Sequence, residues 1–436
     1  MALEKIRGQR VHAGDPAVVV GAGRSGLAAV RLLIQKGARV RLLERNAAAV
    51  SGDTRELLRA MDVEIIVGEH HPEHFEHASF VVPSPGMPIS RLAEHLGRKG
   101  RSTAPEVLAE MELAWRCLAD EPVLAVTGTS GKTTTASLAA AMLQAQGYSV
   151  FLGGNIGTPL SEYVLSRRKA DVLVLEVSSF QLQACSTFCP RVGVLLNIAE
   201  NHLDYHKDMR EYTETKFRLF RCQNKEDLAV LGVDLKKLAG EFNLKARQVY
   251  IRESGRFSES RLLGGHSRVN QEAAWQACRF FGVGEADAAA AVARFKPLPH
   301  RLEVLRKHNG VLYVNDSKST TVAALRVAMQ AFDQPVRLLC GGKFKGGHLQ
   351  ELREIVRSHV IDVAIFGASR EVFEQAWQDI VPISWHENLE SAVLHASSGA
   401  REGDVILLSP ATSSFDLYTN YMARGDDFKR IVEGLS

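Results

Sequence analysis

The sequence predicts an α/β fold divided into three domains. The chain has 436 residues, which is too long for a single hydrophobic core. Short apolar runs alternate with longer segments of helical composition, and this alternation is typical of parallel sheets covered by helices. Many of the apolar runs end in glycine-rich or polar loops, which lie at the edge of a parallel sheet where ligands bind.

The composition limits the classes of protein to which the chain can belong. Hydrophobic residues make up 45% and charged residues 24%, as in globular proteins. The net charge of +3 gives no electrostatic support for nucleic-acid binding. No apolar run reaches the ~18 residues of a membrane span, and residues 1–14 lack a signal-peptide core. Six cysteines without a Cys-x-x-Cys pair indicate reduced thiols. We therefore expect a cytoplasmic protein without membrane insertion.

Residues 1–104 are expected to form a Rossmann-like domain. A strand at 17–20 is followed by the glycine pattern Gly21-x-Gly23-x-x-Gly26, a helix at 27–36 and a strand at 39–43 that ends beside Glu44. This pattern is typical of dinucleotide binding, with the acidic residue placed for a ribose hydroxyl. It could equally serve another nucleotide, or only close helix–strand packing. The turn at 84–86 follows a later strand, again at the ligand-binding edge.

Histidines cluster near the end of this domain, at His70, His71, His74 and His77. The interleaved glutamates and Pro72 favour a solvated loop or helix face over a metal site. We assign this cluster no function.

Residues 105–297 are expected to form a P-loop-type domain, entered through an acidic helical stretch at 103–119. A strand at 123–127 precedes a glycine loop and a helix at 136–146, which is the architecture that binds polyphosphates. Lys132 would reach the β- and γ-phosphates, and Thr133 would bind Mg²⁺. Val126 replaces the first glycine of the general pattern, and the alternative is an ordinary turn before a helix. The predicted ATP contacts in the loop are Gly128, Thr129, Ser130, Gly131, Lys132, Thr133 and Thr134.

Three further side chains in this domain could carry chemistry. Glu176 interrupts an apolar strand at 172–177, which is costly unless the carboxylate is paired or binds a metal. His202 lies in the motif Asn-His-Leu-Asp-Tyr-His, and Lys216 lies on a helix predicted at 209–221. The alternatives are a buried ion pair for Glu176, a core histidine, and a solvated lysine.

Residues 298–436 are expected to form a second Rossmann-like domain after a proline linker. His300 and Arg301 are followed by a hairpin that turns at Asn309-Gly310. The second hairpin strand ends at Asn-Asp-Ser-Lys318, and a helix is predicted at 320–332. Strands at 336–340, 363–366 and 405–408 then alternate with helices and end in loops at 341–347, 367–369 and 409–414.

Together these motifs resemble the Mur ligases, the ATP-dependent amide-bond-forming enzymes of peptidoglycan precursor synthesis. The resemblance rests on the phosphate loop, the histidine motif at 201–206, His300-Arg301 and Asn-Asp-Ser-Lys318, and it covers nearly the whole chain. Within the family, Glu176-Val-Ser-Ser-Phe-Gln-Leu182 and Gly154-Asn-Ile-Gly157 are typical of the branch that adds D-glutamate.

The resemblance implies a reaction and its cofactors. The enzyme would join D-glutamate to UDP-N-acetylmuramoyl-L-alanine through an acyl phosphate, with consumption of ATP. It would be a monomer that acts in cell-wall biogenesis, and so in cell shape and cell division. Lys132, Glu176, His202 and Lys216 would be catalytic. Two Mg²⁺ ions would be bound by Thr133, Glu176, His202 and a carbamate that CO₂ forms on Lys216.

The resemblance also implies the remaining ligand contacts. Further ATP contacts would come from Asn270 and Arg301 and, in the third domain, from Asp316 and Lys318. The predicted residues for the UDP-substrate are Gly23, Arg24, Ser25, Glu44, Ser84, Gly86 and Asn155. Those for D-glutamate are Thr320, Lys345, Ser414, Phe415 and Tyr421.

Other functions remain open at this point. Another Mur-type ligase or a folylpolyglutamate ligase would use the same ATP chemistry. A NAD-dependent oxidoreductase would account for the first glycine pattern and Glu44, but not for the phosphate loop or the histidine motif. A non-catalytic nucleotide-binding module would use Lys132 only to hold ATP.

Overall fold

The computed structural model describes residues 10–96, 104–203 and 205–435. The chain divides into two compact units. The first extends to Arg252 and includes Asn270–Ala291, and the second comprises Glu253–Val269 with the chain from Val292 onward. Two parallel sheets lie in the first unit and a third sheet lies in the second. The α/β fold class is confirmed, whereas the domain boundaries at 104/105 and 297/298 remain predictions.

The first sheet is parallel throughout. Its strands are β1 (Pro16–Val20), β2 (Arg39–Glu44), β3 (Glu64–Val67), β4 (Phe80–Pro83) and β5 (Glu106–Val107). They follow the order β3-β2-β1-β4-β5. The order reverses between β1 and β4, so a crevice opens where these two strands end, as ligand sites do in open α/β sheets. The accompanying helices are α1 (Arg24–Gln35), α2 (Gly52–Ala60), α3 (Ile89–His95) and α4 (Glu110–Trp115).

Strand β5 differs from the sequence-based prediction of a helical stretch at 103–119. Glu106 and Val107 extend along β4, and the backbone N–H of Leu108 donates to Val81 O at 2.9 Å. Pairing at this edge satisfies backbone groups of β4 that would otherwise lack partners. Residue 103 lies outside the described residues, and from residue 104 onward the helical part of the stretch is limited to α4.

The second sheet carries the phosphate loop. Its strands are β6 (Val123–Thr127), β7 (Val150–Gly154), β8 (Val172–Glu176), β9 (Val192–Leu195), β10 (Leu228–Gly232) and β11 (Arg247–Ile251), in the order β11-β10-β9-β6-β8-β7. Every residue of β6, β8, β9 and β10 is buried, as expected of a parallel sheet covered on both faces. The helices of this region are α5 (Lys132–Ala145), α6 (Leu160–Ser166), α7 (Ser179–Gln183), α8 (Met209–Phe217), α9 (Lys236–Ala239), α10 (Gly265–Cys278) and α11 (Glu285–Arg294).

Two helices begin earlier than the sequence predicts. Helix α1 begins at Arg24 rather than at 27, and α5 begins at Lys132 rather than at 136. The first turn of each helix faces the ligand edge of its sheet and is therefore polar. Because the apolar periodicity starts only one turn later, it places the start of the helix too late.

The third sheet is parallel except for its first hairpin. Its strands are β12 (Glu303–His308), β13 (Val311–Asn315), β14 (Val336–Gly341), β15 (Val360–Phe366), β16 (Ile383–His386) and β17 (Val405–Leu408), in the order β12-β13-β17-β14-β15-β16. Asn309 and Gly310 form the predicted turn with φ of 48° and 78°. The helices are α12 (Val322–Met329), α13 (Arg353–His359), α14 (Arg370–Trp377), α15 (Leu389–Ser398) and α16 (Tyr421–Glu433).

Helix α12 is shorter than the predicted helix at 320–332. The hydroxyl of Thr321 accepts a hydrogen bond from the N–H of Ala324 at 3.2 Å and caps the helix. Thr320 therefore precedes the cap and does not lie at the helix start.

Two features of the structure concern the thiols and the lengths of the helices. All six cysteines are unpaired. Within the described residues, each helix is too short or too polar to cross a lipid bilayer.

Candidate active site

The phosphate loop connects β6 to α5 through two glycines with positive φ. Gly128 has a φ of 153° and Gly131 a φ of 85°, values that other residues rarely adopt. A Cβ atom on Gly131 would lie only 2.4 Å from the side-chain oxygen of Asn270. The loop therefore requires glycine at this position, and Asn270 lies directly against it.

Lys132 folds back across the loop from the first residue of α5. Its Nζ donates to Gly128 O at 2.9 Å and to Thr129 O at 3.0 Å. The backbone N–H groups in the first turn of a helix, here the turn that begins at Lys132, point towards the loop and attract anions. Loop, amine and helix terminus thus form a cradle suited to a polyphosphate.

Asn197, which sequence analysis did not select, fixes the phosphate loop from the end of the neighbouring strand β9. Its side-chain oxygen accepts from Ser130 N at 2.9 Å, and its amide nitrogen donates to Ser130 O at 3.2 Å. Its backbone carbonyl accepts from Thr129 N at 3.0 Å. The only sequence signal was an asparagine directly after a buried strand.

Glu176 ends strand β8, next to β6 in the sheet. One carboxylate oxygen accepts from the side-chain amide of Asn155 at 2.7 Å, and the N–H of Asn155 donates to Glu176 O at 2.8 Å. The other oxygen, Oε2, is buried and has no hydrogen-bond partner among the described residues. Such an oxygen is costly to bury unless a ligand binds it.

His202 lies in a strained loop. Its φ is 57°, in the left-handed region, and its N–H donates to the Asn201 side chain at 3.0 Å. Its ring packs edge-on against Phe180, with centroids 4.8 Å apart. Backbone strain of this kind is found preferentially at functional sites. Asp204 of the same motif lies outside the described residues.

Lys216 is buried rather than solvated. Only 1% of the residue is exposed, and its Nζ donates to Gly128 O at 3.0 Å, the same carbonyl that Lys132 contacts. Its amine lies 4.7 Å from the centre of the Tyr212 ring. Burial, followed by the charge of Lys132, holds the pKa of Lys216 well below its usual range. The amine of Lys216 therefore lies beside the phosphate loop, in surroundings that disfavour its charged form.

The predicted metal ligands can bind Mg²⁺ only if phosphate oxygens, water or a modified Lys216 supply further ligands. Among the described residues, no three or more His, Cys, Asp or Glu side chains are grouped so that they could hold a metal ion. Mg²⁺ usually takes one or two carboxylates and completes its shell with phosphate oxygens and water. The unpartnered oxygen of Glu176 and the hydroxyl of Thr133 at the helix terminus suit that pattern.

The histidine cluster in the first sheet shows one difference from the sequence-based interpretation. Residues Pro72–Phe75 form a short 3₁₀ helix, and His70 is buried instead of solvated. Burial lowers the pKa of His70. Among the described residues of this cluster, no three His, Cys, Asp or Glu side chains are placed to hold a metal ion.

The glycine loop after β1 brings the predicted nucleotide residues together. A Cβ atom on Gly26 would lie 1.9 Å from Gly21 O, so glycine is required where α1 meets the loop. Gly23 caps α1, and Arg24 and Ser25 form its first turn. Glu44 accepts from Ala22 N at 2.7 Å and from Asn46 N at 2.8 Å. Its carboxylate therefore already binds backbone groups of the loop region.

The turn that contains Ser84 and Gly86 lies against the same loop. Ser84 N donates to Val20 O at 2.7 Å, and a Cβ on Gly21 would lie 2.8 Å from the Cβ of Ser84. The structure thus brings six of the predicted residues to one edge of the first sheet: Gly23, Arg24, Ser25, Glu44, Ser84 and Gly86. The seventh, Asn155, follows β7 of the second sheet and lies beside Glu176.

In the second unit, Asp316 and Arg301 lie together near the end of β13. Residues His300 and Leu302 have φ of 62° and 43°, so Arg301 lies in a strained segment. Asp316 accepts from Leu302 N at 3.2 Å and from the Ser409 hydroxyl at 3.0 Å. Burial raises the pKa of Asp316 to about 7, although these bonds and Arg301 act against the rise. Lys318 lies over the ring of Tyr421, 5.3 Å from its centre.

The loops after β14 and β17 are paired with each other. Lys343 N donates to Ser413 O at 2.9 Å, and Ser413 N donates to Lys343 O at 3.1 Å. Two of the predicted D-glutamate residues, Lys345 and Phe415, meet across these loops, with the amine 5.3 Å from the ring centre. Ser414, which precedes Phe415 in the chain, is buried. No direct contact joins Thr320 to this group among the interactions that the structure describes.

Arg424 was also missed by sequence analysis. It is fully buried on α16, and its guanidinium donates to Ser317 O at 2.9 Å, Thr412 O at 3.1 Å and Gly341 O at 3.3 Å. It therefore ties together the loops after β13, β14 and β17. Nothing in the local sequence distinguishes this arginine from a surface residue.

Comparison with known families and structures agrees with this architecture. The models of the Mur ligase MurD-like N-terminal domain, the Mur ligase middle domain and the Mur ligase glutamate ligase domain match residues 15–95, 126–277 and 300–412. The MurF ligase of Thermotoga maritima has a similar fold, with a TM-score of 0.59 at 20% identity over 98% of this chain and 99% of that one.

Close relatives share the full length of the chain. The UDP-N-acetylmuramoylalanine–D-glutamate ligase of Desulfovibrio desulfuricans is 67% identical, and that of Nitratidesulfovibrio vulgaris strain DP4 is 60% identical, each over 100% of both sequences. The chain therefore belongs to the Mur ligases, a family of ATP-dependent amide-bond-forming enzymes, and within it groups with the UDP-N-acetylmuramoylalanine–D-glutamate ligases.

Proposed function

We propose that this enzyme joins D-glutamate to UDP-N-acetylmuramoyl-L-alanine, with ATP converted to ADP and phosphate, in peptidoglycan precursor synthesis. The observation that carries the proposal is the convergence of two lysine amines, from Lys132 and Lys216, on the carbonyl of Gly128 in the phosphate loop. The full-length relatives named for this reaction support the choice of substrates. The six unpaired thiols fit a cytoplasmic enzyme, which we propose acts as a monomer.

The first step joins two anions and therefore needs cationic groups. The alanyl carboxylate attacks the γ-phosphorus of ATP, so that an acyl phosphate forms and ADP leaves. Lys132 and the first N–H groups of α5 stabilise the charge that spreads over the transferring phosphoryl group. Asn270, next to Gly131, and Arg301, Asp316 and Lys318 of the third domain supply the further ATP contacts.

Two Mg²⁺ ions would add to this charge neutralisation. Thr133 and Glu176 would hold one ion, and His202 with the modified Lys216 would hold the second. When bound, the ions would supply electrostatic stabilisation of phosphate oxygens. Asn155 keeps the Glu176 carboxylate oriented through its 2.7 Å hydrogen bond, while the second carboxylate oxygen stays available.

Lys216 acts as a carbamate in this proposal. Burial and the neighbouring Lys132 lower its pKa and so favour the neutral amine, which is the form that can react with CO₂. The nitrogen attacks the carbon of CO₂, an N–C bond forms, and a proton passes to solvent. The product is a carboxylate that can bind a cation, whereas the protonated amine would repel it.

The second step forms the amide bond. The amine of D-glutamate attacks the acyl carbon, and the tetrahedral intermediate expels phosphate. Lys345, Thr320 and Ser414 would bind the carboxylates of D-glutamate, with Phe415 and the backbone near Tyr421 completing the pocket. Holding two carboxylates and one amine at the same time selects one enantiomer.

The UDP-substrate would bind at the crevice between β1 and β4. The α1 terminus offers backbone N–H groups to the diphosphate. The contacts that we propose are Gly23, Arg24, Ser25, Glu44, Ser84, Gly86 and Asn155.

Phosphate release from ATP, measured with UDP-N-acetylmuramoyl-L-alanine and a set of amino acids, tests the proposal. We expect release with D-glutamate and much weaker release with L-glutamate, D-aspartate or L-alanine. Equal turnover of D- and L-glutamate, or phosphate release that needs no amino acid, would contradict it. An active-site control is Lys132→Ala, which should suppress release under every condition.

A further inference from the structure

The turn Ser84–Met87 is fixed from one side by the first sheet. Met87 N donates to Ser84 O at 2.9 Å and closes the turn, and Ser84 N is bound to β1 through Val20 O. Ser84 also rests against Gly21, where only glycine leaves enough space. The position of the turn is therefore coupled to the glycine loop.

Tyr205 approaches the same turn from the second sheet. It lies in the loop that contains His202, and its N–H donates to His202 O at 3.1 Å. Its ring packs on Phe180 with centroids 4.0 Å apart, and the ring of His202 also contacts Phe180, with centroids 4.8 Å apart. The direction of the Tyr205 side chain is thus set by the same aromatic residue that supports His202.

The hydroxyl of Tyr205 connects the two sheets. It donates to Met87 O at 2.9 Å, and the two residues line a small cavity together with Pro83, Pro85 and Phe180. The carbonyl of Met87 thereby gains a partner that is far away in sequence.

We propose that Tyr205 is a positioning residue that holds the Ser84–Met87 turn and the His202 loop in one arrangement for the UDP-substrate. Neither Tyr205 nor Met87 needs to touch the reacting atoms for this role. The hydrogen bond from the hydroxyl restricts the turn in the substrate-free enzyme. The UDP-substrate then binds more tightly, because less conformational entropy is lost on binding. The proposal rests on the proposed function, since it assigns the turn to the UDP-substrate.

Tyr205→Phe removes the hydroxyl and keeps the ring on Phe180. The Kd for UDP-N-acetylmuramoyl-L-alanine, measured by calorimetry without ATP, should rise about 3- to 10-fold, as the loss of one hydrogen bond implies. The KM for the same substrate should rise in parallel, while the KM for ATP stays within about twofold. The matched control is Tyr250→Phe, which removes a hydrogen bond to Gln248 on β11 and should leave both constants unchanged.

Each result of this experiment decides the proposal. A Kd unchanged in Tyr205→Phe would overturn it, as would equal increases of both KM values, which a merely structural role would produce. Melting temperatures of both variants within a few degrees of the wild type show that the fold is intact. If the wild-type enzyme releases no phosphate with these substrates, the proposed function fails instead, and that outcome is distinct from a wild-type-like Tyr205→Phe enzyme.

Discussion

Asp316→Asn should change how stability depends on pH. Burial raises the pKa of the Asp316 carboxyl from its ordinary value of 3.8 to about 7. At a pH between these two pKa values, the Asp316 carboxyl is protonated in the folded chain and ionised in the unfolded chain. The folded state therefore binds more protons, and its stability must fall as the pH rises through this window.

The size of the effect follows from the two pKa values. A difference of about three pH units, at about 1.4 kcal/mol each, corresponds to on the order of 4 kcal/mol. This stability is present below about pH 4 and is lost by about pH 7. Asparagine has the same shape and does not ionise. It can still accept from Leu302 N, and its amide can donate to the Ser409 hydroxyl, so the variant should lack this slope.

Thermal unfolding of both proteins between pH 5 and pH 8 measures the difference. The stability of Asp316→Asn relative to wild type should increase by on the order of 2 kcal/mol from pH 5 to pH 7 and level off above pH 7. For a unit of this size, 1 kcal/mol moves the midpoint by roughly 2–4 °C. A difference that is constant with pH, or that changes in the opposite direction, would refute the reasoning.

Three substitutions test other parts of the site. Lys132→Ala should lower kcat at least ~100-fold, because it removes a charge from the phosphate cradle; a melting temperature close to wild type would exclude unfolding as the cause. Lys216→Ala should be nearly inactive, and formate or acetate should restore part of the phosphate release; activity near wild type without added carboxylate would rule out the carbamate. Lys345→Ala should raise the KM for D-glutamate about 10- to 100-fold and leave the KM for ATP unchanged; an unaltered dependence on D-glutamate would show that the pocket is misassigned.

The glycine loops could be predicted from sequence because their backbone geometry permits only glycine at certain positions. Positive φ at Gly131 and the close approach of Gly26 to Gly21 O exclude other side chains. A glycine pattern between an apolar strand and a helix therefore identifies the loop directly. The same reasoning predicts the roles of Lys132 and Thr133, because they directly follow the last glycine of the loop.

The supporting residues could not be predicted because their partners are remote in sequence. Asn197 fixes Ser130 from 67 positions away, and Arg424 reaches Ser317 from 107 positions away. Local patterns carry no trace of such pairs. Strand β5 was missed for a related reason, since two residues on an edge have no periodicity and are recognised only through their pairing with β4.

Lys216 has a property that its local sequence does not indicate and that arises only from burial in the folded chain. Its helical sequence is ordinary, and composition alone favours a solvated lysine. The folded chain buries it beside Lys132, which lowers the pKa of the amine. The property that matters for its proposed chemistry thus arises from tertiary packing.

Isotope transfer from the substrate carboxylate to phosphate tests the central claim most directly. UDP-N-acetylmuramoyl-L-alanine labelled with ¹⁸O in the alanyl carboxylate is incubated with ATP and D-glutamate, and the released phosphate is examined by mass spectrometry. An acyl-phosphate route transfers one carboxylate oxygen, so each phosphate should carry one ¹⁸O atom and ADP should be the nucleotide product. Phosphate without label, or AMP with pyrophosphate, would contradict the account.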